Sequence, residues 1–224
     1  MKNALRYLWY TYISTALVAV GGFALISLIG SPILKVEFFG SYYYMLPMIL
    51  VIFTIIFAFN LSTIFRNMAL SMNCLRKHFF WGCQVSFLVV ALVGTAIVWL
   101  AGELPGLAGI GYAVQEGDPA LALAGRPAYV QPVQLLFLLA VSLLIQPVGA
   151  AMGGLYGKSK VWAMVLLLVV TLLGIAATML MLFANNGDFS LPPAVPVSLL
   201  AALAVMAAAC EVYFWRSNNK AIVR

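Results

Sequence analysis

An all-α integral membrane protein of six transmembrane helices, with both termini in the cytoplasm, is the fold the sequence predicts, and three observations predict it. Hydrophobic residues make up 65% of the 224-residue chain and charged residues only 8%, against about 25% charged in a soluble domain. No water-soluble surface could cover so much apolar material. The apolar residues fall in six stretches, 8–30, 42–64, 80–101, 133–156, 161–184 and 195–215, each near the roughly 20 helical residues that cross a hydrocarbon core. The basic residues gather in alternate connections. With the N-terminus inside, Lys2, Arg6, Arg66, Arg76, Lys77, Lys158, Lys160, Arg216, Lys220 and Arg224 are cytoplasmic, and of the 12 basic residues only Lys35 and Arg126 are outside. This is the positive-inside pattern. The period-2 alternation of a barrel strand is absent, and lipid leaves the helix as the alternative.

The first stretch, 8–30, exceeds the 7–15 residues of a signal-peptide core and no A-x-A-like site follows it, so it reads as a retained span. The second opens on Tyr42, Tyr43 and Tyr44, and the third closes near Trp99. Trp9, Trp81, Trp162 and Trp215 fall at the opposite ends of their spans. Two aromatic belts result, and they give the same topology without using charge. The third and fourth spans are joined by a long external loop, 102–132, rich in Gly, Ala and Pro. The sixth span is interrupted by one acid, Glu211, within about 1.5 turns of its inner end. An ionisable residue there is either a functional group or the partner of an inner basic residue. The whole chain reads as a single transmembrane domain without visible internal repeats.

Chemistry-bearing motifs are scarce. There is one histidine, His78, and no Cys/His/Asp cluster for a metal. No H-E-x-x-H or G-x-S-x-G occurs, so no catalytic residue, metal site or bound cofactor is expected. MGGLYGKS at 152–159 fails as a phosphate-binding loop, because Met152 stands where the first Gly must be. The net charge of +6 belongs to membrane topology rather than to nucleic acid. Cys74, Cys83 and Cys210 all fall on the reducing side and are expected as free thiols.

The inner segment 65–79, FRNMALSMNCLRKHF, is the most informative stretch. Phe65, Met68, Met72, Leu75 and Phe79 recur every three or four residues, an apolar helical stripe, with Arg66, Asn73, Arg76 and Lys77 largely off it. An amphipathic helix lying at the interface is expected, either held by anionic lipid or forming a docking surface for a cytoplasmic partner. Gly149, Gly153 and Gly157 form a close-packing stripe on the fourth span, within the chain or between chains. Gln146, beside Pro147, and Thr171 and Thr178 on the fifth span either border a substrate path or pack helix on helix.

The run MALSMNCLRKHFFWGCQVSF at 68–87 resembles the small six-span permease subunits of bacterial type-2 ABC exporters, whose second and third spans are joined by A-L-S-x-G-x-S/T-R-K/R-x-F-F-x-G. Ala69, Leu70, Ser71, Arg76, Lys77, Phe79, Phe80 and Gly82 match, while Asn73 and Leu75 replace the usual Gly and Ser/Thr. The stretch 134–162 is similar to that family's fourth span and the short basic turn after it. The resemblance implies that 65–79 is a coupling helix that docks on an ATP-binding subunit, with Arg66, Asn73, Arg76, Lys77, His78, Phe79 and Phe80 at the contact. It implies ATP and Mg on that partner, a second permease chain, identical or homologous, and a place in the bacterial plasma membrane. The family's re-entrant hairpin between spans five and six has no counterpart, since only NNGDFSLPPA is available there. The charge-poor interior argues for a lipophilic or amphipathic substrate. A non-transporting sensor or immunity subunit, or a membrane scaffold without an ATPase, shares the same topology.

Overall fold

The computed structural model describes the backbone of residues 6–29, 37–71, 75–107, 132–156, 159–184 and 194–219, and the side chains of 6–29, 46–70, 75–101, 135–156, 159–176 and 197–218. These residues form six helices and no strand. Helix α1 is Arg6–Leu28, with a π turn at Trp9–Ile13. Helix α2 runs from Glu37–Asn60 through a π turn, Leu61–Phe65, into Arg66–Ser71. Helices α3 (Arg76–Leu107), α4 (Pro132–Tyr156), α5 (Lys160–Ala184) and α6 (Ala194–Asn219) follow. Five of them are long and apolar enough to cross a membrane, so the chain is an all-α membrane-spanning protein. In α5 the described side chains extend the apolar stretch over Lys160–Ala176, within a helix of 25 residues.

Helix α4 is the axis of the bundle. It packs on α2, α6, α5 and α3 in turn, whereas α5 and α6 scarcely touch each other. Small residues cause this. Above Gly149 and Gly153 lie the backbone carbonyls of Ile55 and Phe59 on α2, and a Cβ at Gly149 would stand 2.5 Å from the Ile55 oxygen. The glycine stripe is therefore a contact between two helices of one chain, as far as Gly149 and Gly153 show; Gly157 lies outside the described residues. Pro147 lacks the N–H that would bond the carbonyl of Leu143, one turn back.

The apolar core has two parts. One fills the half of the bundle away from the termini, around Leu46, Leu50, Val98, Val141 and Ile145. The other lies at the opposite end, where Leu8, Tyr12, Leu61, Phe79, Phe87 and Phe214 meet. That second end carries the described chain end of α6, the α2–α3 turn and the α4–α5 turn, and is called here the turn end. Outward faces are apolar too: Val161, Trp162, Leu168 and Val205 are each more than 60% exposed. In water such a surface would be an association hazard, but hydrocarbon solvates it.

The segment 65–79 is not a separate amphipathic helix among the described residues. Helix α2 continues unbroken to Ser71, residues 72–74 lie outside the described set, and α3 begins at Arg76, with Phe79 N–H bonding the carbonyl of Leu75 at 2.9 Å. The expected stripe is split. Met68 and Leu75 are 53% and 64% exposed, whereas Phe79 is fully buried. The physical reason is that the stripe is shared between two helices: Met68 belongs to the end of α2, Leu75 precedes the first turn of α3, and Phe79 lies within the new helix that starts at Arg76.

Candidate functional site

At the turn end the last two turns of α6 sit between the helices that flank the basic turn. One face of α6 meets α3. Gln84 Nε2 donates to Glu211 Oε1, the Phe214 ring lies 5.7 Å from Phe80 centre to centre, and Asn218 Nδ2 donates to the carbonyl of Arg76 at 2.8 Å. The spacing 211, 214, 218 is one helical face. A second face meets α2 and α4. Arg66 Nη1 donates to Ser217 Oγ at 3.3 Å, and Gly154 leaves room there for Tyr213 and Ser217, whose atoms would stand 3.3 and 3.2 Å from a Cβ at that position. The end of α6 thus bonds both the last turn of α2, through Arg66, and the first turn of α3, through Arg76.

The polar groups of this joint are only partly matched. Ser62 Oγ, Arg66 Nε, Glu211 Oε2 and Asn218 Oδ1 are buried and have no hydrogen-bond partner among the described residues. An unmatched buried group is costly, about 1–3 kcal/mol, so a rearrangement that gives these atoms partners is favoured over one that takes partners away. Charge is lopsided as well. Arg6, Arg66, Arg76, Lys77, Lys160 and Arg216 all belong to this end, with Glu211 the one acid among the side chains described there.

The residues expected at a docking surface separate into two groups. Arg76 and Lys77 are exposed and His78 is half-buried, beside the α2–α3 turn. Phe79 and Phe80 point the other way: they are 0% and 9% exposed and belong to the chain's own turn-end core. Their place on the expected docking surface is therefore corrected; the rings hold the start of α3 against α1 and α6. Asn73 lies outside the described residues.

Gln146 is fully buried. Tyr12 Oη donates to Gln146 Oε1, and Gln146 Nε2 donates to the carbonyls of Phe87 at 3.1 Å and Ser142 at 2.7 Å. The Tyr12 ring meets Phe87 edge-on at 6.0 Å. One amide thus ties three helices. Tyr12 was not legible as its partner, because it sits in a π turn of an otherwise uniform span. Thr171 Oγ1 donates to the carbonyl of Leu167 one turn back, at 2.8 Å. The side chain of Thr178 lies outside the described residues. Cys83 is buried, Cys210 is a free thiol, and Cys74 lies outside the described residues. No group of three His, Cys, Asp or Glu that could hold a metal occurs among the described residues.

No protein-family model, no curated protein and no solved structure matches this chain.

Proposed function

We propose that the chain is the membrane permease subunit of an ATP-binding-cassette exporter of a bacterial plasma membrane. It has six spans with both termini cytoplasmic, so the turn end is the cytoplasmic end. A separate subunit binds ATP and Mg and docks on the α2–α3 turn, and a second permease chain completes the pathway. The substrate class is lipophilic or amphipathic, in keeping with a bundle interior that holds few charges.

One observation carries this reading: the end of α6 is bonded to both flanks of the basic turn, through Ser217 to Arg66 and through Asn218 to the Arg76 carbonyl. A push on the turn from the cytoplasm is then a push on α2, α3 and α6 together. The turn-end charge supports it, since an acidic cleft on an ATPase would receive Arg76 and Lys77. The partly unmatched polar groups of the joint support it too, because a rearrangement that gives those atoms partners is favoured.

Neutralising Arg76 or Lys77 singly should change little, as an exposed ion pair contributes about 0.2–1 kcal/mol. Reversing both, Arg76→Glu with Lys77→Glu, replaces attraction with repulsion and should abolish both capture of the ATPase chain and substrate-stimulated ATP hydrolysis in the reconstituted complex. The bond from Asn218 is to the backbone carbonyl of residue 76, a group that the substitution leaves in place. Wild-type capture and hydrolysis in the double variant would overturn the docking role of this turn.

A further inference from the structure

Helices α4, α5 and α6 enclose an apolar cleft of about 170 Å³ in the half of the bundle away from the turn end. Its walls include Phe137 of α4, Val170 and Gly174 of α5, and Leu199, Leu203 and Met206 of α6. It exists because α5 and α6 both pack on α4 but hardly on each other. We propose that this cleft is a binding site for a single lipid acyl chain. The inference needs only that these helices lie in a bilayer, and it stands or falls separately from the exporter reading.

Shape selects the occupant. From Leu199 to Met206 the cleft follows α6 for about 10 Å at 1.5 Å per residue. A volume of about 170 Å³ spread over that length leaves a cross-section near that of one carbon chain, whose atoms pack about 4 Å apart. A helix, about 10–12 Å across with its side chains, cannot enter. Chemistry agrees: every wall residue named is apolar, so a headgroup or a sugar would lose its hydrogen bonds there. Location agrees as well. The cleft adjoins the flank where α5 and α6 present exposed Leu172, Leu173, Val197 and Val205, a surface that hydrocarbon wets. Within lipid there is no hydrophobic gain to be had from water, so occupancy is favoured by dispersion contacts that an empty slot would forfeit.

The test is photo-crosslinking of the full chain in phosphatidylcholine vesicles containing a small fraction of phosphatidylcholine with a diazirine on one acyl chain, read by peptide mass spectrometry. Leu203 and Met206 should label about tenfold more than Val205, which shares their helix but faces outward, as expected for a site preferred tenfold over bulk lipid. Excess unlabelled phosphatidylcholine should compete with labelling in the cleft more steeply than with labelling at Val205. Filling the mouth with Leu199→Phe and Ala202→Phe should remove the labelling in the cleft, leave Val205 unchanged and leave the thermal midpoint in detergent within a few degrees of wild type. Equal labelling of Leu203 and Val205 would overturn the proposal, leaving only bulk lipid. So would efficient disulfide cross-linking of two chains through Leu199→Cys, which would mean that a second copy of the chain covers the cleft.

Discussion

Replacing Gly153 with valine is expected to abolish the folded bundle. A Cβ at that position would run into the carbonyl oxygen of Phe59 and stand 2.9 Å from the Cβ of Ser62. The obstacle at Phe59 is helix backbone, which cannot swing aside as a side chain can. Overpacking a well-packed core costs about 1–3 kcal/mol, occasionally more, and here it pries apart α2 and α4, the two most extensively paired helices of the bundle. Gly153→Ala should already lower the thermal midpoint of the detergent-solubilised protein. The sign is diagnostic, because Gly→Ala inside a helix ordinarily stabilises by roughly 0.5–1 kcal/mol. Gly22 supplies the control. Nothing lies within 4 Å of a Cβ placed there, so Gly22→Ala should leave the midpoint unchanged or raise it. A Gly153→Ala protein as stable as wild type would contradict the close α2–α4 contact.

Phe79→Ala is the second large effect, and it separates two roles. If the ring were a docking contact, its removal would uncouple an ATPase and leave the bundle folded. The ring is instead fully buried, in one cluster with Tyr12, Phe87 and Phe214. Truncating a buried aromatic costs about 3–5 kcal/mol, a large share of the 5–15 kcal/mol that holds a typical native state together. The expected result is a sharp fall in monodisperse protein on size exclusion and a lowered thermal midpoint, with any partner binding lost in proportion. Phe214→Ala, from the facing helix, should do the same. Normal stability with selective loss of ATPase capture would return Phe79 to the docking surface.

Five membrane-crossing helices were legible because apolar length needs no context. Among the described residues the helices begin and end within a few residues of the stretches read from hydropathy, except that α2 continues to Ser71, past the expected end at 64, and α3 to Leu107, past the expected end at 101. The glycine stripe was legible too, because only a missing Cβ lets two helix backbones come this close; whether it served one chain or two was not. The turn segment was misread in part. Periodicity placed Phe79 with Met68 and Leu75 on one stripe, which assumes one uninterrupted α-helix. The new helix start at Arg76 breaks that assumption, and it has no sequence signal of its own. The α6 joint was invisible for another reason. Glu211 was singled out for its charge, but Gln84, Ser217 and Asn218 are ordinary polar residues until the fold brings 84 and 211, 66 and 217, and 76 and 218 together. The Tyr12–Gln146 bond joins residues 134 apart, a pairing that no local pattern encodes.

The exporter reading is tested most directly by the composition of the complex that this chain forms. The chain carrying an affinity tag is purified from its native membranes in several mild detergents, and the intact assembly is weighed by native mass spectrometry. The account predicts two membrane chains, identical or not, with two ATP-binding-cassette chains identified by peptide sequencing. The complex should hydrolyse ATP, and the Arg76→Glu, Lys77→Glu protein should be recovered without the ATPase chains. A wild-type chain that emerges alone in every detergent, properly folded and with no ATPase at any stoichiometry, would contradict it.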